Sequence, residues 1–228
     1  MVFVLTNDDG IDAPGIKALY QAVQQLGHEA IVVAPLEHHS GCGHQVTTNR
    51  PIQVQQRSDW EYAIQGTPVD CVRLALSHLC PNVEMVLSGI NFGGNLGSDV
   101  YISGTVAAVR EASLHRIPGI ALSHYRQRNR DIDWEVAVRR TVKVLSHLLS
   151  SSVQPGAYLN VNLPHLPEGA PEPKIVHCSP CSQPLPAVYR VEANQFYYSA
   201  DYSKRPRDPN ADVDVCFAGY IAVTELRV

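Results

Sequence analysis

No stretch of this 228-residue chain approaches the ~20 consecutive apolar residues that a membrane-spanning helix needs. Nor does it open like a secretory signal, since residues 1–5 follow no basic segment and run straight into Asn7-Asp8-Asp9. These absences predict a soluble, cytoplasmic protein with no membrane partner. Clustered positive charge is scarce too. Lys plus Arg number 18 against 22 Asp plus Glu, for a net charge of -4, and no basic run longer than a pair precedes residues 126–130. That balance excludes a nucleic-acid polymer as the expected partner, because backbone binding depends on grouped Lys and Arg. Residues 126–130, Arg-Gln-Arg-Asn-Arg, read as a solvated loop. Cysteine pairs are also missing in any regular pattern. The six cysteines are scattered through a chain that is 45% hydrophobic and large enough to bury a core without staples, so reduced thiols are expected. Cys178-Ser-Pro-Cys181 has zinc or redox spacing, but no second pair accompanies it. With no composition break, the chain fits one large domain, or one domain with an appendage.

What is present is arranged around Thr-Asn-Asp-Asp-Gly at 6–10. Residues 1–5 are a short apolar run of the kind buried on both faces of a parallel sheet, and it ends in two adjacent carboxylates. Like charges repel unless a positive charge sits between them, and ligands of open α/β sheets gather at the C-terminal strand ends. A divalent cation between Asp8 and Asp9 accounts for the pair; capping of the next helix together with Asp12 is the plainer alternative. Pro14-Gly15 then opens a helical pattern closed by Gly27, and residues 30–34 form a second apolar strand, giving a βαβ unit with parallel strands.

The loop at 36–47 leaves that second strand and carries His38, His39, Ser40 and His44. A three-histidine zinc cluster is one reading, but adjacent His38 and His39 do not easily face one point, whereas a hydroxyl such as Ser40 suits a hard, oxygen-seeking cation. Residues 51–56 and 61–65 alternate like a hairpin, and Pro68 opens a helix that the pattern carries to Leu79. Residues 84–87 predict a third strand entering a loop at 88–99 that holds four glycines among amides, including Asn91 and Asn95. Such a loop lets backbone N–H groups approach a phosphate, although it has neither a P-loop ending nor a dinucleotide fingerprint. Ser103, Gly104 and Thr105 begin the following helix, where an anion finds free N–H groups. Further on, a strand at 120–122, a helix at 133–149 and a strand at 158–164 extend the pattern, with the Rossmann-like elements ending near Ser152. Residues 1–163 are expected to form the catalytic core. Residues 164–228, proline-rich with short strands at 174–176, 188–191 and 196–198, are expected to form an antiparallel arm and a last strand used for oligomerisation.

Six motifs occur in order: Thr-Asn-Asp-Asp-Gly (6–10), Ala-Pro-Gly-Ile (13–16), Val-Ala-Pro (33–35) before Ser40-Gly41, Gly-Thr-Pro-Val-Asp-Cys-Val (66–72), Ser-Gly-Ile-Asn-Phe-Gly-Gly-Asn (88–95) and Ser-Gly-Thr-Val-Ala-Ala (103–108). Together they resemble the SurE family of nucleotidases across almost the whole chain. The resemblance implies an α/β fold, a three-layer α/β/α Rossmann-like sandwich with a mainly parallel sheet and a protruding C-terminal hairpin that builds homodimers or homotetramers. It also implies one divalent metal cation per subunit, Mg²⁺ or Mn²⁺, held by Asp8, Asp9, Ser40 and Asn91. The implied activity is hydrolysis of nucleoside monophosphates at the 5′ or 3′ position, with short polyphosphate as a further substrate. This chain departs from the family pattern at Gln45 and Ile102, and it ends at Val228 where relatives continue into a helix.

On that basis the expected mechanism is direct attack by metal-activated water, with Asp8 and Asp9 held by the cation and neither free to become a phospho-aspartate. Asn95, Ser103, Gly104 and Thr105 are expected to hold the phosphoryl oxygens. His44 is the nearest group for protonating the leaving alkoxide, with a phosphate contact or no role as alternatives. A non-catalytic nucleotide sensor and a zinc de-N-acetylase are the rival readings; in the latter a histidine precedes the paired acids, where this chain has Thr6-Asn7.

Overall fold

The computed structural model describes residues 2–80, 82–127, 130–150 and 153–228. In chain order the elements that build its main sheet and layers are β1 (Val2–Thr6), α1 (Pro14–Gln25), β2 (Glu29–Pro35), β3 (Val54–Ser58), β4 (Glu61–Ile64), α2 (Pro68–Leu74), β5 (Met85–Phe92), α3 (Gly104–Leu114), β6 (Gly119–His124), α4 (Trp134–Leu148), β7 (Ala157–Leu163) and β8 (Ile175–His177). They are followed by β9 (Tyr189–Glu192), β10 (Gln195–Tyr198), α5 (Asp212–Phe217) and β11 (Ile221–Arg227). Nine of these strands make one sheet in the order β3-β4-β2-β1-β5-β6-β7-β11-β8. The centre is parallel, while β3 runs antiparallel to β4 and β11 antiparallel to β7.

Alternation along β1 divides the core into two layers, because successive side chains of a strand point to opposite faces. Phe3 and Leu5 pack with Ala18, Leu19, Val138 and Leu145, so α1 and α4 cover that face. Val4 packs with Val72, Val106 and Val109, so α2 and α3 cover the other. This is the expected three-layer sandwich. β2, reached from β1 through α1, lies on one side of β1 and β5, reached later through α2, lies on the other, and this reversal opens a crevice at the C-terminal ends of β1, β2 and β5. Among the described residues no helix is long and apolar enough to cross a membrane.

Three expectations are corrected. The strand expected at 84–87 runs on to Phe92, so residues 88–92 belong to β5 rather than to the glycine loop. Their glycine serves strand packing: a Cβ on Gly89 would lie 2.1 Å from the Leu122 carbonyl oxygen on β6, where the pairing register shifts. The helix expected to reach Leu79 is α-helical only to Leu74 and continues as a π turn over Ala75–Leu79. The segment at 174–176, expected in the arm, instead pairs with β11 at the edge of the main sheet, because β11 offers it a free side once β7 has taken the other. Among the described residues only β9 and β10 form a separate antiparallel pair. Ser152, Arg128 and Asn129 lie outside the described residues.

Asp70 ties the loop after β2 to this framework. Thr67 caps α2 and Asp70 answers by accepting the Thr67 N–H at 2.9 Å, completing a reciprocal capping box. The same carboxylate accepts the N–H of Thr47 at 2.9 Å and its hydroxyl at 2.7 Å. Burial alone would raise its pKa, but the hydrogen bonds from Thr47 and Thr67 outweigh burial and hold it below the ordinary carboxylate value. Asp70→Ala leaves those donors unpaired and is expected to cost about 2–4 kcal/mol at neutral pH in urea unfolding. A group with a lowered folded pKa stabilises above its unfolded pKa and loses that contribution as pH falls through the folded one. The deficit of the variant is therefore expected to narrow as the titration is carried below the carboxylate range; a pH-independent deficit would contradict the assignment.

Candidate active site

Two carboxylates at the end of β1 are fastened by the neighbouring segments. Asp8 is 4% exposed; its Oδ1 accepts the Thr105 hydroxyl at 2.5 Å, and its carbonyl oxygen accepts the His39 N–H at 2.7 Å. Asp9 Oδ2 accepts the Phe92 N–H at 3.0 Å. Asn7 closes the turn through its amide to the Gly10 carbonyl at 2.8 Å. The first turn of α3, the loop after β2 and the end of β5 thus converge on the pair. Neither acid caps α1, which begins after Ala13 without any side-chain cap, and Asp12 turns away to pair with Arg57 at 2.7 and 3.0 Å.

Burial first, and then repulsion by Asp9, push the Asp8 carboxyl up from its ordinary 3.8 to about 6, against the opposing hydrogen bond from Thr105. The only basic side chain within ion-pair distance of either acid among the described residues is His38, 3.5 Å from Asp9. A buried carboxylate beside a second one, without a Lys or Arg to balance them, fits a bound cation. Space fits as well. A Cβ on Gly104 would lie 2.8 Å from Asp8 Cβ and 2.9 Å from Cys42 Sγ, so only glycine lets α3 approach this closely. Among the described residues no group of three or more His, Cys, Asp or Glu side chains is placed to hold a metal. Two carboxylates joined by neutral oxygens would suit a hard divalent cation such as Mg²⁺ or Mn²⁺.

The remaining expected residues are distributed unevenly around the pair. One amide hydrogen of Asn91 is committed to the Gly93 carbonyl at 2.9 Å, which leaves its carbonyl oxygen as the end suited to a cation. Ser40 is exposed in the turn that His39 anchors to Asp8, and no side-chain bond joins it to Asp8, Asp9 or Asn91. The Ser103 hydroxyl accepts the Val106 N–H at 3.1 Å as the N-cap of α3, and the Thr105 hydroxyl is given to Asp8. What Ser103, Gly104 and Thr105 present at the helix start is therefore mainly backbone N–H.

Asn95 is held by residues the sequence reading passed over. Its amide nitrogen donates to Ser123 Oγ at 2.8 Å, its N–H donates to Asn162 Oδ1 at 2.8 Å, and its carbonyl accepts from Asn160 at 2.8 Å and Asn162 at 3.0 Å. Two asparagines on alternate positions of a fully buried strand were the available signal. Another omission is Glu111 on α3. This buried acid accepts from His44 Nε2 at 2.9 Å and lies within ion-pair distance of Arg73 and His115. His44 and His38 thus serve different carboxylates, and the three loop histidines do not converge.

Because the Asp8 pKa is raised, its charged form is disfavoured in the folded protein. In the metal-free state it costs stability at high pH, a cost that disappears as pH falls from about 6 towards 3.8. Asp8→Asn is expected to raise metal-free unfolding free energy above pH 7 by on the order of 1–3 kcal/mol, with the gain fading through that window. Chemical denaturation across pH in the presence of a chelator measures this; a variant less stable than wild type at every pH would refute it.

The sequence model of the family described as Survival protein SurE matches residues 3–183. Over 100% of both chains the protein is 60% identical to a candidate 5′-nucleotidase of Nostoc sp.. It is 36% identical to 5′-nucleotidase SurE 1 of Burkholderia lata, over 98% of this chain and 89% of that one. The crystal structure of the SurE protein from Aquifex aeolicus aligns with a TM-score of 0.85 at 31% identity, covering 100% of this chain and 93% of that one. With the family motifs in order along the chain and the same sheet beneath them, this protein belongs to the SurE family.

Proposed function

We propose that this protein is a 5′-nucleotidase, a phosphomonoesterase that hydrolyses nucleoside monophosphates with one Mg²⁺ or Mn²⁺ held by Asp8, Asp9, Ser40 and Asn91. The observation that carries the reading is the meeting of two unbalanced carboxylates with the N-terminus of α3, joined by the bond from Thr105 to Asp8. A cation there would neutralise phosphoryl charge and lower the pKa of water. The chain's own groups supply the rest. N–H groups of Gly104 and Thr105 and the amide of Asn95 receive the phosphoryl oxygens, where the helix dipole favours negative charge. Ser123, Asn160 and Asn162 hold Asn95 in place, so little reorganisation accompanies charge development.

Asp8 is poorly suited to be a nucleophile, since one oxygen is bound by Thr105 and the group is almost fully buried. The reaction then proceeds by a single in-line displacement by water. His44, whose Nε2 is oriented by Glu111, keeps Nδ1 without a partner among the described residues and is the group we assign to protonating the leaving alkoxide. Short polyphosphate fits the same chemistry. The two-stranded arm carries exposed Val188, Tyr189, Val191 and Phe196, an apolar surface that a second copy of the chain would cover in a homodimer or homotetramer.

Asp8→Asn and Asp9→Asn are each expected to lower kcat/KM for a nucleoside 5′-monophosphate by about 10³-fold or more, and EDTA to abolish turnover until Mn²⁺ is restored. Turnover by either variant near the wild-type rate would remove the carboxylates from the mechanism. With a nucleotide made chiral at phosphorus by oxygen isotopes and thiosubstitution, a single displacement inverts configuration; retention, or a trapped phosphoenzyme, would rule it out. Light scattering is expected to find a dimer or tetramer at micromolar concentration, and a Phe196→Asp variant to dissociate it.

A further inference from the structure

Phe92, whose N–H is bonded to Asp9, also lines an open cavity of about 1080 Å³, slightly above the roughly 300–1000 Å³ usual for small-molecule sites. Phe92, Gly93 and Gly94 form one wall, Tyr125 and Arg126 come from the segment after β6, and residues 198–203, leaving β10, form another wall. Phe92 links the cavity to the reaction centre. Its N–H is bonded to Asp9, it follows Asn91 directly, and the residue is 44% exposed. The Arg126 guanidinium carbon lies 4.6 Å from the centre of that ring. The wall formed by residues 198–203 includes a fixed point: the Tyr202 hydroxyl donates to Asp99 at 2.5 Å, Arg205 donates to the same oxygen at 2.8 Å, and the Tyr202 ring stacks on Tyr125 at 6.3 Å.

An exposed aromatic ring with a guanidinium stacked on it is the kind of surface on which nucleobases stack, whatever their hydrogen-bonding edge. We infer that this cavity receives the nucleoside end of the substrate, with the base against the Phe92–Arg126 pair and residues 198–203 of the arm closing the other side. The inference rests on the nucleotidase reading and adds to it where specificity for a nucleoside over a simple alkyl phosphate arises. It also gives the arm a part in the site in addition to association.

Stacking predicts a change in KM rather than in kcat. Phe92→Leu keeps an apolar side chain but no π face, and is expected to raise KM for adenosine 5′-monophosphate about tenfold more than KM for glycerol 2-phosphate. Phe92→Trp is expected to restore the ratio. Equal changes for both substrates would overturn the proposal. A second readout needs neither metal nor turnover. The chain has two tryptophans, and the Trp134 ring lies 6.5 Å from Phe92. In a Trp60→Phe background, adenosine added to chelated protein is expected to quench Trp134 fluorescence saturably, and Phe92→Leu to weaken that binding about tenfold. Absence of saturable quenching would refute the cavity assignment. Failure of the wild type to turn over either phosphate ester with Mn²⁺ would instead strike at the nucleotidase reading, and the adenosine titration would still decide the cavity.

Discussion

Asp8 stands at the end of an otherwise apolar strand, next to a second acid and with little water to screen the two. Much of the surrounding architecture can be understood as what that placement requires. Thr105 gives its hydroxyl to the buried carboxylate, Phe92 gives its N–H to the neighbouring one, and Gly104 lacks the side chain that would otherwise keep α3 away. These contacts lower the cost of two adjacent charges without cancelling it, as the raised pKa of Asp8 records. A fold optimised for stability alone would replace such a pair with apolar residues.

The reversal of connections around β1 is what brings these parts together. β2 and β5 flank β1 on opposite sides, so the loops leaving all three end on one rim, and α3 reaches it from the layer below. Behind that rim the polar groups are held by other buried polar groups. Asn160 and Asn162 on β7 and Ser123 on β6 fix Asn95, and Glu111 on α3 fixes His44. Because these supports lie on strands and helices packed into the core, the residues on the rim are held by rigid elements even though several belong to loops.

The segment after β7 has two fates. Ile175–His177 and Ile221–Arg227 add to the main sheet, while β9 and β10 leave it as a separate ribbon with exposed aromatic residues. The ribbon returns past Tyr198 towards the glycine segment at Phe92 to Gly94, and the two share a cavity. Tyr202 and Arg205 secure that return on Asp99.

Much of the architecture was legible along the chain because it depends on local pattern. The apolar period of β1, β2 and β7, the Pro14 start and Gly27 stop of α1, and Asp8-Asp9 at a strand end all follow from steric and solvation rules acting over a few residues. Other features depended on partners distant in sequence and had no local signature. The glycines at 88–94 looked like a phosphate loop, but Gly89 is there because β6 crowds β5; Ile175–His177 looked like arm, but β11 had an open edge to offer. Thr105 gave no local sign that its hydroxyl would be bonded to Asp8, 97 residues away, leaving its backbone N–H to face the helix start, and Glu111 drew no notice because the histidine it holds lies 67 residues before it. The sequence by itself determined most of the elements, the layers and the placing of paired carboxylates at a strand end. Only the tertiary structure decided which donors meet which acceptors, because a hydrogen bond depends on positions set to within a fraction of an ångström by the packing of the whole sheet.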